Sequence, residues 1–176
     1  MFLKIKLLTA IALVFFVPSL ATYAQDDLVG QQAPSWTLTD LSGEVRHFPE
    51  DFEGKATVIL FWATWCPYCA AVMPYLEEIR TEYEDQGVQV LALNFKEDGD
   101  PKAHIADKGF GFQVFLEADE VARDWGIRFS PGLLVVDASG KVTYQRRSTD
   151  SAPGRAIAEY WAGQVRSSLN ESIQGS

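Results

Sequence analysis

The apolar and polar positions of the chain form blocks that predict a mixed α/β domain. The longest apolar block of the mature region, ATVILFWA at residues 56–63, is typical of a central strand that is covered on both faces. From Pro67 onward the apolar positions recur at intervals of four, three and four, which is helical spacing: Val72, Leu76, Ile79 and Tyr83. Pro67 suits the first turn of such a helix, and Gly87 suits its end.

The same patterns along the rest of the chain predict further strands and helices. The strands are expected at 36–39, 45–48, 56–62, 88–95, 112–116, 132–137 and 141–146. The helices are expected at 67–85, 101–109, 118–125 and 153–169, with Ser151 as the N-cap of the last. Ser139-Gly140 is expected to turn a hairpin between the last two strands.

The first 24 residues have the pattern of a secretory signal peptide. Lys4 and Lys6 precede an apolar run over 7–17, and Thr22-Tyr23-Ala24 offers a cleavage site after Ala24. The run is well short of the ~20 residues that span a bilayer. We therefore expect a signal peptide at 1–24, one domain at 25–170 and a polar tail at 171–176. The mature protein would be periplasmic or extracellular, or anchored in the membrane if the signal stays uncleaved.

The charge of the chain disfavours partners that are themselves anionic. The whole chain carries a net charge of −9, and residues 1–24 hold two lysines and no acid, so the mature chain carries −9 − 2 = −11. A strongly acidic surface disfavours binding to nucleic acid or to an anionic membrane.

The only two cysteines, Cys66 and Cys69, enclose just Pro67 and Tyr68. A structural disulfide that closes so short a loop would stabilise the fold little. A metal site is also disfavoured, because the chain has one such pair and because His47 and His104 are far apart in sequence. A reactive pair fits better. A helix N-terminus favours a thiolate at Cys66, on an exposed turn, and the more shielded Cys69 would resolve the mixed disulfide without a cofactor.

The segment FWATWCPYC, with Pro74 five residues after its second cysteine, resembles the active site of thioredoxin-fold proteins. Residues 29–66 and 125–147 are similar to the TlpA/ResA/CcmG group of extracytoplasmic thiol–disulfide oxidoreductases. The resemblance implies a thioredoxin-like fold: a central mixed β-sheet flanked by helices, an N-terminal β-hairpin that turns at Ser42-Gly43 and an αβ insertion at about 100–117.

The resemblance also implies roles for individual residues. Pro131 would be a cis-proline beside Cys66, and the backbone of Ser130 would pair with the substrate chain. The residues that flank the cysteines are expected at the surface that docks the substrate: Trp65, Pro67 and Tyr68.

The sequence departs from this group where a proton would have to reach the second cysteine. Members often carry a basic residue and a Glu after that cysteine, and many thioredoxins carry a buried Asp in the preceding strand. Ala70, Val72 and Leu60 occupy these places. Lys96 and Glu97, after the strand 88–95, are alternative candidates for proton transfer, or else part of an ordinary charged loop.

The resulting functional hypothesis is an exported enzyme that reduces disulfides of other proteins and is itself reduced by a membrane-bound thiol donor. An oxidant or isomerase of folding proteins would use the same residues. A copper- or zinc-binding module would need His47 or His104 near Cys66. A peroxidase is disfavoured, because peroxiredoxins place Pro and Thr where this chain has Ile59 and Ala63.

Overall fold

The computed structural model describes residues 27–106, 108–148, 150 and 156–174. The predicted signal peptide at 1–24, the Ser151 cap and the expected start of the last helix at 153 lie outside these residues. Within them, no helix has the length and apolar character needed to cross a membrane.

A five-stranded mixed sheet forms the centre of the molecule, in the order β5-β4-β3-β6-β7. Strands β3, β4 and β5 are parallel, whereas β6 is antiparallel to both β3 and β7. The central strand is buried at every position, as the apolar run predicts. The strands are β3 (Thr57–Trp62), β4 (Gln89–Asn94), β5 (Gln113–Phe115), β6 (Gly132–Val136) and β7 (Val142–Gln145).

A separate two-stranded sheet precedes the central one. It is the predicted hairpin, and its antiparallel strands are β1 (Trp36–Thr39) and β2 (Val45–Phe48). Gly43 in its turn has a φ of 89°, which a residue with a Cβ rarely adopts. The hairpin joins the edge of the central sheet through a bridge between Asp40 and Phe115, and its Trp36 ring packs on the Phe115 ring.

Four helices complete the described fold: α1 (Pro67–Glu82), α2 (Pro101–Ala106), α3 (Asp119–Asp124) and α4 (Ala156–Gln174). All four were predicted, but several ends differ. The first helix stops at Glu82, and a 3-10 turn at Glu84–Gln86 follows before Gly87, whose φ is 72°. The last helix continues to Gln174, so most of the expected polar tail is helical. A further 3-10 turn, Glu50–Phe52, was not predicted.

The central sheet separates two apolar cores. Along β3 the side chains alternate: Val58, Leu60 and Trp62 pack toward one core, and Ile59 and Phe61 toward the other. The first core lies under α1 and α4 and includes both cysteines. The second lies under the hairpin and α3 and is rich in aromatic rings: Trp36, Phe48, Phe52, Phe95, Phe115 and Trp125. Both faces of the sheet are covered, and the reactive pair lies at the carboxyl edge of the sheet, where β3 ends.

Candidate active site

The two cysteines form a disulfide at the start of α1. Cys66 is the N-cap residue, with extended backbone angles, and its sulfur accepts a hydrogen bond of 3.2 Å from the backbone N–H of Cys69. The Cα atoms of the pair are 5.3 Å apart. The sequence therefore predicted correctly that a strand-to-helix turn brings the two sulfurs together. The same turn directs the unpaired N–H groups of the first helical turn toward Cys66.

One of the two cysteines is less exposed than the sequence predicted. Cys69 is 1% exposed, as its place inside the helix predicts, but Cys66 is only 2% exposed rather than lying on an open turn. The rings around it are the exposed groups, with Trp65 at 50%, Tyr68 at 53% and Phe129 at 52%. Trp65 and Tyr68 are the flanking residues expected at the docking surface, and Phe129 is a further exposed aromatic side chain that was not anticipated. The disulfide lies beneath this aromatic rim, which we define as Trp65, Tyr68 and Phe129.

The loop before β6 lies against the disulfide. The Ser130–Pro131 bond is cis, as the resemblance implied. The Ser130 hydroxyl oxygen is 3.1 Å from the sulfur of Cys69. Because a disulfide sulfur carries no hydrogen, the hydroxyl is the donor in this contact. The resemblance implied a role for the backbone of Ser130 alone, so this side-chain contact was not expected.

Glu97 does not contact the cysteines, contrary to its candidacy for proton transfer. Its carboxylate accepts hydrogen bonds from the backbone N–H and the hydroxyl of Thr64, at 2.9 and 2.5 Å, and from the Asn94 amide at 2.6 Å. The backbone N–H of Gly99 donates a further bond of 2.9 Å. Burial alone would raise the pKa of Glu97, but these bonds outweigh it and lower the pKa to about 2. A carboxylate held ionised in this way anchors the turn before Trp65 and does not exchange protons near neutral pH.

Lys96, the other candidate for proton transfer, also contacts the turn through its backbone. Its carbonyl accepts a 2.7 Å hydrogen bond from the indole N–H of Trp65, and its φ of 51° lies in the left-handed region. Its ammonium donates to the carbonyl of Arg128 at 3.0 Å, away from the sulfurs. The polar edge of Trp65 is thereby satisfied inside the protein, and the ring presents apolar surface outward.

Arg146 contacts the Ser130–Pro131 loop, and no sequence pattern marked it. Its Nε donates a 2.7 Å hydrogen bond to the carbonyl of Pro131, and its guanidinium lies over the Trp161 ring at 4.7 Å. The Trp161 ring in turn meets the Tyr68 ring edge-on, with centroids 6.1 Å apart. The only available signal was a charged residue in a predicted strand, at 141–146, which is also common on exposed edges.

The two histidines lie at different places. His47 is on the hairpin, where its Nδ1 is 3.0 Å from the Thr37 hydroxyl, and His104 is on α2, where it packs against Trp62. No cluster of three or more His, Cys, Asp or Glu side chains suited to a metal ion occurs among the described residues.

A comparison with protein families agrees with this geometry. The family model described as Redoxin matches residues 28–160, which is most of the chain. The chain belongs to the Redoxin family. It is 36% identical over 119 residues to the thiol-disulfide oxidoreductase ResA of Geobacillus thermodenitrificans, covering 65% of this chain and 66% of ResA. It is 32% identical over 117 residues to the thioredoxin-like protein YneN of Bacillus subtilis, covering 64% of this chain and 68% of YneN. The match to ResA spans just under two thirds of that relative's length.

Solved structures support the fold. One from Chlorobium tepidum, described as a thiol:disulfide interchange protein DsbE, superposes with a TM-score of 0.64 at 27% identity and covers 80% of this chain and 97% of its own. Another from Neisseria meningitidis, described as a thioredoxin, gives a TM-score of 0.61 at 26% identity, covering 80% and 91%. The predicted thioredoxin-like fold and the resemblance to the ResA and CcmG group are confirmed.

Proposed function

We propose that this protein is a thiol–disulfide oxidoreductase that reduces disulfides of other proteins through Cys66 and Cys69. The observation that carries the proposal is the cysteine pair at the N-terminus of α1, directly against the Ser130–Pro131 loop. Relatives named as thiol-disulfide oxidoreductases support it.

The reaction begins from the reduced pair. The thiolate of Cys66 attacks one sulfur of a substrate disulfide, which forms a mixed disulfide and releases the other substrate sulfur as a thiolate. Cys69 then loses its proton and attacks the sulfur of Cys66, which releases the second substrate thiolate and closes the Cys66–Cys69 bond. The substrate gains two electrons and, at neutral pH, two protons, and the enzyme pair is oxidised by the same amount.

The residues around the pair suit these two steps. The N–H groups at the start of α1 stabilise negative charge at Cys66, and the Ser130 hydroxyl donates to the sulfur of Cys69. Cys69 is the cysteine that lacks the carboxylate expected for proton transfer, and the Ser130 hydroxyl acts there instead. The aromatic rim of Trp65, Tyr68 and Phe129 would contact the substrate, with Pro67 between the cysteines and the backbone of Ser130 pairing with the substrate chain.

The burial of Cys66 in the oxidised state limits how a partner thiol can reach the disulfide. A partner that fits between the rim side chains would expose the sulfur by displacing one exposed ring. Because the rim side chains are half exposed, moving one of them disrupts little of the core. The aromatic rim, rather than a closed pocket, would determine the specificity for protein substrates.

The location and the electron donor are also part of the proposal. The signal-like sequence at 1–24 supports export to the periplasm or the extracellular space. An exported reductase must be re-reduced outside the cytoplasm, so a membrane-bound thiol donor is its expected partner, together with disulfide-containing substrate proteins. Nucleic acid and small-molecule cofactors have no part in the reaction.

Two measurements test this function. The full-length chain should reduce the disulfides of insulin when supplied with dithiothreitol, Cys66→Ser should abolish the reaction, and Cys69→Ser should accumulate a mixed disulfide that gel electrophoresis detects. If Cys66→Ser retains the wild-type rate, the proposed chemistry is wrong.

The direction of electron flow follows from the reduction potential, measured by equilibration against glutathione or dithiothreitol. A value near or below about −250 mV supports a reductase. A value of about −120 to −180 mV, in the range of DsbA and protein disulfide isomerase, would instead make the protein an oxidant or isomerase.

A further inference from the structure

Arg146 is a buried cation next to the loop that holds the disulfide. The residue follows β7 and is 8% exposed. Its Nε donates to the Pro131 carbonyl at 2.7 Å and its Nη1 to the Arg147 carbonyl at 3.2 Å. One face of the guanidinium packs on the ring of Trp161. Both of these hydrogen bonds go to neutral carbonyl groups.

The positive charge of Arg146 has no salt-bridge partner among the described residues. Burial lowers the pKa of the guanidinium, and Tyr144 and Asp150 offset this only in part. An arginine nevertheless stays protonated in proteins. The site therefore carries a positive charge in a region of low dielectric, where its influence on neighbouring groups is weakly screened.

The cysteine sulfurs are the groups nearby on which negative charge develops. Pro131, which accepts the bond from Arg146, follows Ser130, whose hydroxyl is 3.1 Å from the sulfur of Cys69. Summing these contacts and the intervening bonds places the guanidinium carbon no more than about 19 Å from the sulfur of Cys66. At an effective dielectric near 20, a charge at that range changes a thiol ionisation midpoint by about half a unit to one unit.

We propose that Arg146 stabilises the thiolate of Cys66 and fixes the Pro131 carbonyl at the substrate-pairing loop. It is a positioning residue with an electrostatic effect, because it acts through Pro131 and across space rather than by touching a sulfur. The inference rests on the proposed function, since only a protein that exchanges disulfides makes use of a Cys66 thiolate. A thiolate stabilised in this way attacks at lower pH and favours the reduced form of the pair.

Other charges lie on neighbouring elements and stay constant in the test. Glu97 and Lys96 lie on the loop after β4, and Arg128 lies on the loop before Ser130. Glu97 is held ionised by its hydrogen bonds, and Lys96 donates to the carbonyl of Arg128. Tyr144 and Asp150 act on Arg146 itself.

The test compares three substitutions in the reduced full-length chain. Alkylation of Cys66 by iodoacetamide is followed by mass spectrometry as a function of pH. Arg146→Gln removes the charge and should raise the midpoint of the pH–rate profile by about half a unit to one unit. Arg146→Lys keeps the charge and should leave the midpoint within about 0.2 units. Arg147→Gln also removes one positive charge, but at the neighbouring exposed position. It should leave the midpoint of the pH–rate profile unchanged.

The outcomes that overturn the inference are separate from those that overturn the function. If Arg146→Gln folds and leaves the midpoint where it was, or if Arg146→Lys shifts it equally, the charge has no role. If Arg146→Gln does not fold, Arg146→Met replaces it as the neutral variant. The wild-type midpoint gives an independent check, since a value at or above the ordinary ~8.5 of a thiol contradicts the inference. Failure of the wild-type chain to reduce insulin would instead refute the proposed function.

Discussion

Ser130 places a hydroxyl beside the sulfur that has to close the disulfide. The contact is 3.1 Å, and Cys69 is buried, so water cannot easily replace it. Ser130→Ala removes the donor, and we expect Cys69 to form its thiolate less readily and to resolve the mixed disulfide about three- to tenfold more slowly. The measurement is the decay of a preformed mixed disulfide in a single turnover.

Ser130→Thr is the matched control, because it keeps the hydroxyl and adds one methyl group. It should resolve the mixed disulfide at close to the wild-type rate. If Ser130→Ala resolves as fast as the wild type, the hydroxyl is only a packing contact, and another group must promote ionisation of Cys69.

Glu97 gives a prediction about pH. Its pKa is about 2 in the folded protein, below the ordinary 4.5, so its ionised form stabilises the fold above pH 4.5. That stabilisation is lost as the pH falls from 4.5 toward 2. Glu97→Gln should lower the free energy of unfolding by about 1 to 2 kcal/mol at pH 7, less than the pKa shift alone implies because solvent screens the carboxylate. Urea unfolding at pH 7 and at pH 3 measures this difference.

The difference in the free energy of unfolding between the wild type and Glu97→Gln should be smaller at pH 3 than at pH 7. Glu53→Gln is a suitable control, since Glu53 is exposed and has no resolved interaction with the reactive turn. A gap of equal size at both pH values would mean that the ionised carboxylate is not what stabilises the turn.

At this scale the sequence predicted the pairing of the two cysteines better than the contacts that surround them. Cys66 and Cys69 were identifiable because two cysteines at this spacing before a helix have few structural uses. The low exposure of Cys66 was not predictable, because it depends on side chains from distant parts of the chain. The hydrogen bonds of Glu97 to Thr64 span 33 residues of sequence, and no periodic pattern records such a contact.

Among the elements, the loop between β4 and α2 holds the reactive turn in place. Gly99 approaches it so closely that a Cβ would lie 2.7 Å from the hydroxyl oxygen of Thr64. Gly99→Ala should therefore displace Thr64 or Glu97 and destabilise the protein by about 1 to 3 kcal/mol. It should also slow insulin reduction more than the reduction of a small disulfide such as Ellman's reagent, because the displaced turn carries Trp65. Chemical unfolding and the two rates test this.

Gly163→Ala is the contrasting substitution on another element. Gly163 is exposed in α4, and a Cβ there meets nothing within 4 Å. Alanine should stabilise that helix by about 0.5 to 1 kcal/mol and leave both rates unchanged. If Gly99→Ala behaves like Gly163→Ala, the β4–α2 loop does not control the turn.

The elements themselves were largely predictable because their patterns are local. The central strand is one continuous apolar run, and α1 has regular helical spacing. The predicted ends of the elements were less accurate, since most predicted strands end one residue beyond the observed strand. The C-terminal extension of α4 over 170–174 was missed because its residues have the polar composition of a tail. In the structure, Asn170 accepts a 2.9 Å hydrogen bond from the Tyr83 hydroxyl, a contact that spans 87 residues of sequence and that local composition does not predict.

At the scale of the whole molecule, the redox state of one pair is linked to the stability of the fold. The free energy of oxidising the pair differs between the folded and the unfolded chain. This difference equals the difference in the free energy of unfolding between the oxidised and the reduced protein. A reductase has a disulfide that the fold favours, whereas a strong oxidant such as DsbA has a stabilised reduced form. The buried charge of Arg146 favours the reduced form and therefore opposes the reductase direction in part.

We expect the oxidised full-length protein to be more stable to urea than the reduced protein, because we propose a reductase. Unfolding with and without a reductant measures the difference, and Arg146→Gln should enlarge it if that residue stabilises the Cys66 thiolate. A variant with both cysteines changed to serine should unfold identically in the two conditions. If the reduced form is the more stable one, the fold favours the dithiol, and the protein donates disulfides to its partners rather than removing them. The sign of one stability difference therefore decides the direction of electron flow without requiring the natural substrate.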